Sequence, residues 1–307
     1  MSTVRFPEYV EAFVERTNEF LGSFEAKLVL SEEREENSSR VYEMEAPSGV
    51  AQLLVHRTLR SRDSAVGEYR ARTVTTLPDD LAAWFQGKEN IANRYATLGL
   101  LITNKTGADV GSQCLIRPDS IETLAGTLAA AMVHAGPSII QSIRQGVAGE
   151  TSAPVETLSA WSNLDFEQIH YDYAHLGTAS LGQRKWSIRL NFRNLLTLAA
   201  VHDNPYWRGG LLSLLSVPGA DLTIDGEMIS IHSLNSWEYL VGEAPTFGGW
   251  CRDGNDFVFA SFAPNFLKSL PDFTDHLINW ATIRAHTAKG FADLERSYRE
   301  TRGTPAG

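Results

Sequence analysis

Lys185-Trp186-Ser187-Ile188-Arg189-Leu190-Asn191-Phe192 is the stretch on which the fold turns. Trp186, Ile188, Leu190 and Phe192 take alternate positions, with Ser187, Arg189 and Asn191 between them. Successive strand side chains point to opposite faces, so this alternation predicts a strand with one buried and one wet face. Arg193-Asn194 reads as a turn, and further strands are expected at Leu195–His202 and Gly210–Val217, parted by Asp203-Asn204-Pro205. Pro218-Gly219 begins a mixed segment containing Ser236, Trp237, Tyr239 and Leu240. Phe247–Cys251 and Phe257–Phe262 then flank Asp253-Gly254-Asn255-Asp256, a hairpin signal. Pro264 closes the last strand. Pro271 opens a helix through Phe273, Leu277, Trp280, Ile283, Thr287 and Phe291, whose apolar face Leu294 can extend. Upstream, Pro154 to about Ala174 reads as a helix.

The same order of elements precedes this one. Residues 7–24 carry Val10, Phe13, Val14, Thr17, Leu21 and Phe24 at helical spacing. The polar run from Ser31 to Ser39 reads as a solvated loop. Strands are expected at Arg40–Glu45, Val50–Leu59 and Val66–Thr76, a short helix through Leu81, Trp84 and Phe85 after Pro78, strands at Ala96–Thr103 and Val110–Arg117, and a long helix from Pro118 to about Ile143. Landmarks recur: Met44 with Leu190, Val55-His56 with Val201-His202 and Pro118 with Pro264, each pair 146 residues apart. The small, polar run 145–154 reads as a linker. The expectation is an α+β protein of two tandem α-β-β-β-α-β-β-α units with antiparallel sheets. They span 1–146 and 147–307, are related by a pseudo-twofold, and the second ends in a charged tail. A sheet with helices on one face needs cover elsewhere, and tandem units can supply it to each other as a homodimer would.

Composition narrows the function classes. The 307 residues carry 27 basic and 37 acidic side chains, a net charge of −10. Residues 1–146 hold 15 basic against 19 acidic residues and 147–307 hold 12 against 18, so neither half hides a basic module. That argues against nucleic-acid binding. The N-terminus shows no apolar secretory core, and the weakly polar run from Leu124 to Val133 is too short to span a bilayer. No membrane association and a cytoplasmic location are expected. Cys114 and Cys251, both in apolar runs, read as buried, inert thiols in a reducing compartment.

No P-loop, dinucleotide fingerprint, nucleophile elbow, H-E-x-x-H or C-x-x-C occurs in the sequence. No catalytic residue, metal or cofactor is assigned. His170, Asp172 and His175, with His202 in space, form the one constellation that would support an enzyme or small-molecule binder with a site between the units. On a helix, His170 and His175 lie about 140° apart and share a face poorly. Aromatic residues in connections point elsewhere. Tyr206, Trp207 and Arg208 sit between strands, and Trp237 and Tyr239 sit in the mixed segment. Such residues serve as interface anchors, and these five are the expected contacts for a polypeptide partner.

The element order, with the late hairpin Phe247-Gly248-Gly249-Trp250 … Asp256–Pro264 running into the helix from Pro271, resembles the class I type III secretion chaperone-like fold shared with the YbjN-like proteins. Leu98-Gly99-Leu100-Leu101 … Cys114-Leu115-Ile116-Arg117-Pro118 is the first-half counterpart. The resemblance implies a small acidic protein that dimerises and binds other polypeptides without catalysis. A fused double copy would be a monomer with pseudo-dimeric halves, or a weak homodimer.

Overall fold

A computed structural model describes residues 6–34, 38–45, 51–58, 68–85, 99–103, 107–145, 161–190, 194–201 and 209–303. The first half runs α1 (Glu8–Gly22), β1 (Lys27–Arg34), β2 (Ser39–Glu45), β3 (Ala51–Thr58), β4 (Glu68–Thr76), α2 (Asp79–Phe85), β5 (Leu100–Thr103), β6 (Ala108–Leu115) and α3 (Ile121–Gln145). The second half runs α4 (Asn163–Tyr173), β7 (Gly177–Gly182), β8 (Lys185–Leu190), β9 (Leu195–Val201) and β10 (Gly210–Val217). A small ribbon of β11 (Thr223–Ile224) and β12 (Glu227–Met228) follows, then α5 (Ile231–Val241), β13 (Gly249–Asp253), β14 (Asp256–Pro264) and α6 (Phe273–Gly303).

Two six-stranded antiparallel sheets result, ordered β1-β2-β3-β4-β6-β5 and β7-β8-β9-β10-β14-β13. The α+β class is as expected. Each half, however, carries four strands before its middle helix rather than three. The additional strands are β1 and β7, the outermost of each sheet. The loop expected over 31–39 is in part β1 and the start of β2. The linker expected at 145–154 lies, apart from Gln145 at the end of α3, outside the described residues.

The ladder also corrects one pairing of landmarks. Arg40 stands opposite Val55, and Trp186 opposite Leu198. With Met44 matched to Leu190, and so Arg40 to Trp186, the counterpart of Val55 is Leu198, not Val201. The chain turns back sooner after Leu190, whose N–H donates to Asn194 O at 2.9 Å.

Alternation decides which faces are dry. Met44, Leu53, Val55 and Ala71 of the first sheet, and Trp186, Ile188, Leu196 and Leu198 of the second, are buried in one continuous apolar cluster together with α1, α3 and α4. The halves therefore share a core. Phe24 meets Phe266 edge to face at 5.7 Å, and Thr123 Oγ1 donates to Pro271 O at 2.6 Å. A second cluster, with Leu215, Leu234, Trp250, Phe257 and Phe291, lies under α5 and the later turns of α6. The apolar stripe of α6 ends at Ala292. Leu294, expected to extend it, is 63% exposed, lying about 160° around the helix from the buried Ala292. Among the described residues no helix is long and apolar enough to cross a membrane.

Candidate functional site

The densest polar chemistry lies where the halves meet. Helix α5 starts at Ser230, whose hydroxyl caps it. It packs on β13 of its own sheet and on β5 and β6 of the other. Its last turn has no basic residue, so its terminal carbonyls lack local compensation for the helix dipole. The first sheet supplies it. Arg72 donates to Leu240 O, and Arg70 Nη1 donates to Gly242 O at 2.8 Å. Gln113 Nε2 donates to Ala244 O at 2.9 Å and to Thr246 Oγ1 at 2.8 Å, while Thr246 N donates to Gln113 O at 2.8 Å. Arg70 also donates to Gln113 Oε1. The sequence missed this cap, because its partners are more than a hundred residues apart and belong to no motif.

Beneath it, Glu238 is fully buried beside Arg284, with Arg284 Nε 3.4 Å from Glu238 Oε1, and Trp250 Nε1 donates to the same oxygen at 3.3 Å. Burial pushes the Glu238 carboxyl upward, opposed by the neighbouring Arg284 charge. A cavity of about 20 Å³ adjoins Arg284, lined by Thr127, Ser213, Ser261, Phe247 and Phe273 among others. That is room for a single water, not a substrate. The junction between the halves is filled by side chains that bond one another.

Among the described residues, the histidines expected to converge form no cluster. His170 is half-buried, and Asp172 is exposed, with both its oxygens accepting from Gln168 Nε2 at 2.9 and 2.8 Å. His175 is exposed, and His202 lies outside the described residues. Among the described residues no group of three or more His, Cys, Asp or Glu is placed to hold a metal. Cys114 and Cys251 are buried and form no disulfide, and burial raises the Cys114 thiol to about 12.

Of the expected partner contacts, Tyr206, Trp207 and Arg208 lie outside the described residues. Trp237 is half-buried against Phe291, 5.4 Å between ring centroids. Tyr239 is turned into the junction, its hydroxyl donating to Thr73 O at 2.9 Å and its ring lying 5.6 Å from the Arg72 guanidinium. Both serve packing within the chain, because the mixed segment is the wedge between the halves.

The open surface lies at the opposite ends of the sheets. The β5 and β13 ends lie against α5, whereas among the described residues β1 and β7 border no further strand. Nearly every residue of both strands is exposed, including Leu30 at 51% and Leu181 at 43%. The two edges differ. Strand β1 is charged at Lys27, Glu32, Glu33 and Arg34 and has a bulge between Leu30 and Glu32, both devices that discourage pairing. Strand β7, Gly177-Thr178-Ala179-Ser180-Leu181-Gly182, has no charge, proline or bulge. From Tyr173 to His202 the sequence contains no acidic residue, while Arg184, Lys185 and Arg189 are exposed on the β7–β8 hairpin. Beside it, Tyr171 on α4 is 84% exposed. The β7–β8 hairpin is thus a basic stretch of sequence in an acidic chain.

No family model, curated protein or solved structure matches the chain.

Proposed function

We propose that the chain is a non-catalytic interaction module that takes an extended acidic polypeptide as an added strand along β7. The observation that carries this reading is the edge itself: an exposed, uncharged strand that leads into Lys185 and Arg189, in a run of sequence from Tyr173 to His202 that holds no acidic residue. Strand addition draws its affinity from main-chain hydrogen bonds, and the flanking charge selects the partner. The alternation of β8 places the outward N–H groups of β7. Arg184 O and Leu190 N both bond toward β9, so Lys185, Ser187 and Arg189 bond toward β7, opposite Gly182, Ser180 and Thr178, and Gly177, Ala179 and Leu181 direct their own N–H groups outward. The chaperone-like reading of the sequence belongs with this proposal, since it also implies polypeptide binding without chemistry.

Fluorescence anisotropy with β-prone peptides matched in length and opposite in charge tests it. The acidic peptides bind roughly tenfold or more tightly than the basic ones, and the difference shrinks as salt rises past the screening length. Equal binding of both sets, or of neither, rejects the proposal. Ala179→Pro, which removes an outward N–H from an edge strand, abolishes binding while leaving the melting curve intact.

A further inference from the structure

Two serines interrupt the apolar face of the second sheet. On β10 the buried alternate residues are Leu211, Ser213, Leu215 and Val217, and on β14 they are Phe257, Phe259, Ser261 and Ala263. Ser213 and Ser261 stand directly opposite each other in the ladder and are only 7% and 9% exposed. Neither hydroxyl has a hydrogen-bond partner among the described residues, although a buried hydroxyl ordinarily has one. Both serines line the cavity of about 20 Å³ beside Arg284. The Arg284 guanidinium lies 3.6 Å from the centroid of the Phe259 ring and donates through Nη2 to Pro245 O. Its Nε is buried without a hydrogen bond, 3.4 Å from Glu238 Oε1. Thr127 approaches from α3 with its own proton given to Thr123 O. Among the described residues no carboxylate lines the cavity, and Arg284 is its one charged wall.

We infer that this cavity binds one monatomic anion, of which chloride is the abundant kind, held by the Ser213 and Ser261 hydroxyls and the Arg284 guanidinium. A serine hydroxyl turns to suit its partner and a guanidinium only donates, so all three groups can point a proton at one acceptor. Water accepts two such bonds. An anion accepts all three and also meets the positive charge, which makes each bond charge-assisted. Removing an ion from water is costly unless an opposite charge receives it, and Arg284 supplies that charge. The volume admits a single atom-sized ligand, which leaves out carboxylates and phosphates. Thr246, whose N–H donates to Gln113 O of the first half, lies between two of the cavity's walls, Pro245 and Phe247. The ion therefore ties α6 to β10 and β14 beside the segment that joins the halves. The site is separate from β7 and does not depend on the polypeptide-binding reading.

Thermal melts of the full chain in sodium chloride and in sodium gluconate test the idea. Equal ionic strength removes general screening from the comparison, and gluconate is too large for the cavity. The midpoint is higher in chloride and climbs by about 2 °C for each tenfold rise in chloride above the dissociation constant, as for any ligand of the folded state alone. Ser213→Ala with Ser261→Ala removes two of the three donors. This double variant melts no lower than the wild type in gluconate, since its lost hydroxyls had no partner there, and its midpoint is the same in both salts. Equal midpoints for the wild type in the two salts overturn the inference, and a water held in place of the ion gives that result. A chloride effect that persists in the double variant is equally fatal, because it places the ion elsewhere. Crystals of the wild type grown in bromide need no variant to fold. They show an anomalous peak within hydrogen-bond reach of Ser213 Oγ and Ser261 Oγ, and a cavity without that peak rejects the site.

Discussion

Gly111 of β6 has no room for a side chain: a Cβ there would lie 2.6 Å from Thr73 O and 2.8 Å from the Tyr239 ring. Its absence lets Tyr239 reach the first sheet. Gly111→Ala therefore lifts Tyr239 from its bond with Thr73 and costs about 1–3 kcal/mol, the usual penalty of overpacking, readable as a lower melting midpoint. His56, on the same face as Arg70 and Arg72, is held at about 4 by burial first and by those two cations second. Its folded value lies below the unfolded one, so the folded state binds the proton later. The stability it contributes is present above about pH 6.5 and is lost as the pH falls towards 4. Urea titrations at pH 7 and pH 4.5 measure this, and His56→Gln shows a smaller difference between the two than the wild type does. An equal difference would mean that His56 is not the group responsible.

At the scale of elements, strands with one buried face were legible. Trp186, Ile188 and Leu190 announced β8, and Val10, Phe13, Thr17 and Leu21 announced α1, because burial on one side imposes a period on the sequence. Strands β1 and β7 bury almost nothing, so no period marks them, and β1 read as loop from its Ser-Glu-Glu-Arg run. The mixed segment after Pro218 was recognised only as mixed, because α5 packs on two sheets and its cap comes from the other half. Gln113→Leu tests that cap. It keeps the volume but leaves Ala244 O and Thr246 without their donor, at about 1–3 kcal/mol for each buried group left unpaired. Limited proteolysis then cuts faster between residues 242 and 248. An unchanged cleavage rate would show that the cap does not hold this segment.

For the whole molecule the shared core makes the two halves one cooperative unit. Its main apolar cluster runs from Phe13 and Leu53 to Trp186 and Trp280, and the Arg70, Gln113 and Glu238 network ties the same halves through polar groups. Thermal unfolding followed by far-ultraviolet dichroism and by tryptophan fluorescence gives one coincident transition, although six of the seven tryptophans belong to the second half. Two separated midpoints would mean that the halves unfold independently. Glu238→Ala strands the buried Arg284 charge and lowers the whole transition, by about 3–5 kcal/mol.

By itself the sequence determined the α+β class, most of the half-buried strands and the helices that cover them, and the absence of any familiar catalytic motif. Each of these is written locally, in side-chain period, turn residues or short spacing. Only the tertiary structure decided which strands lie at the edges, that Trp237 and Tyr239 serve the interior, and that the helix ending at Val241 is capped by residues of another sheet. Those features depend on what stands beside a residue after folding. An edge that buries nothing, and a polar contact between distant segments, leave no periodic mark on the chain that makes them.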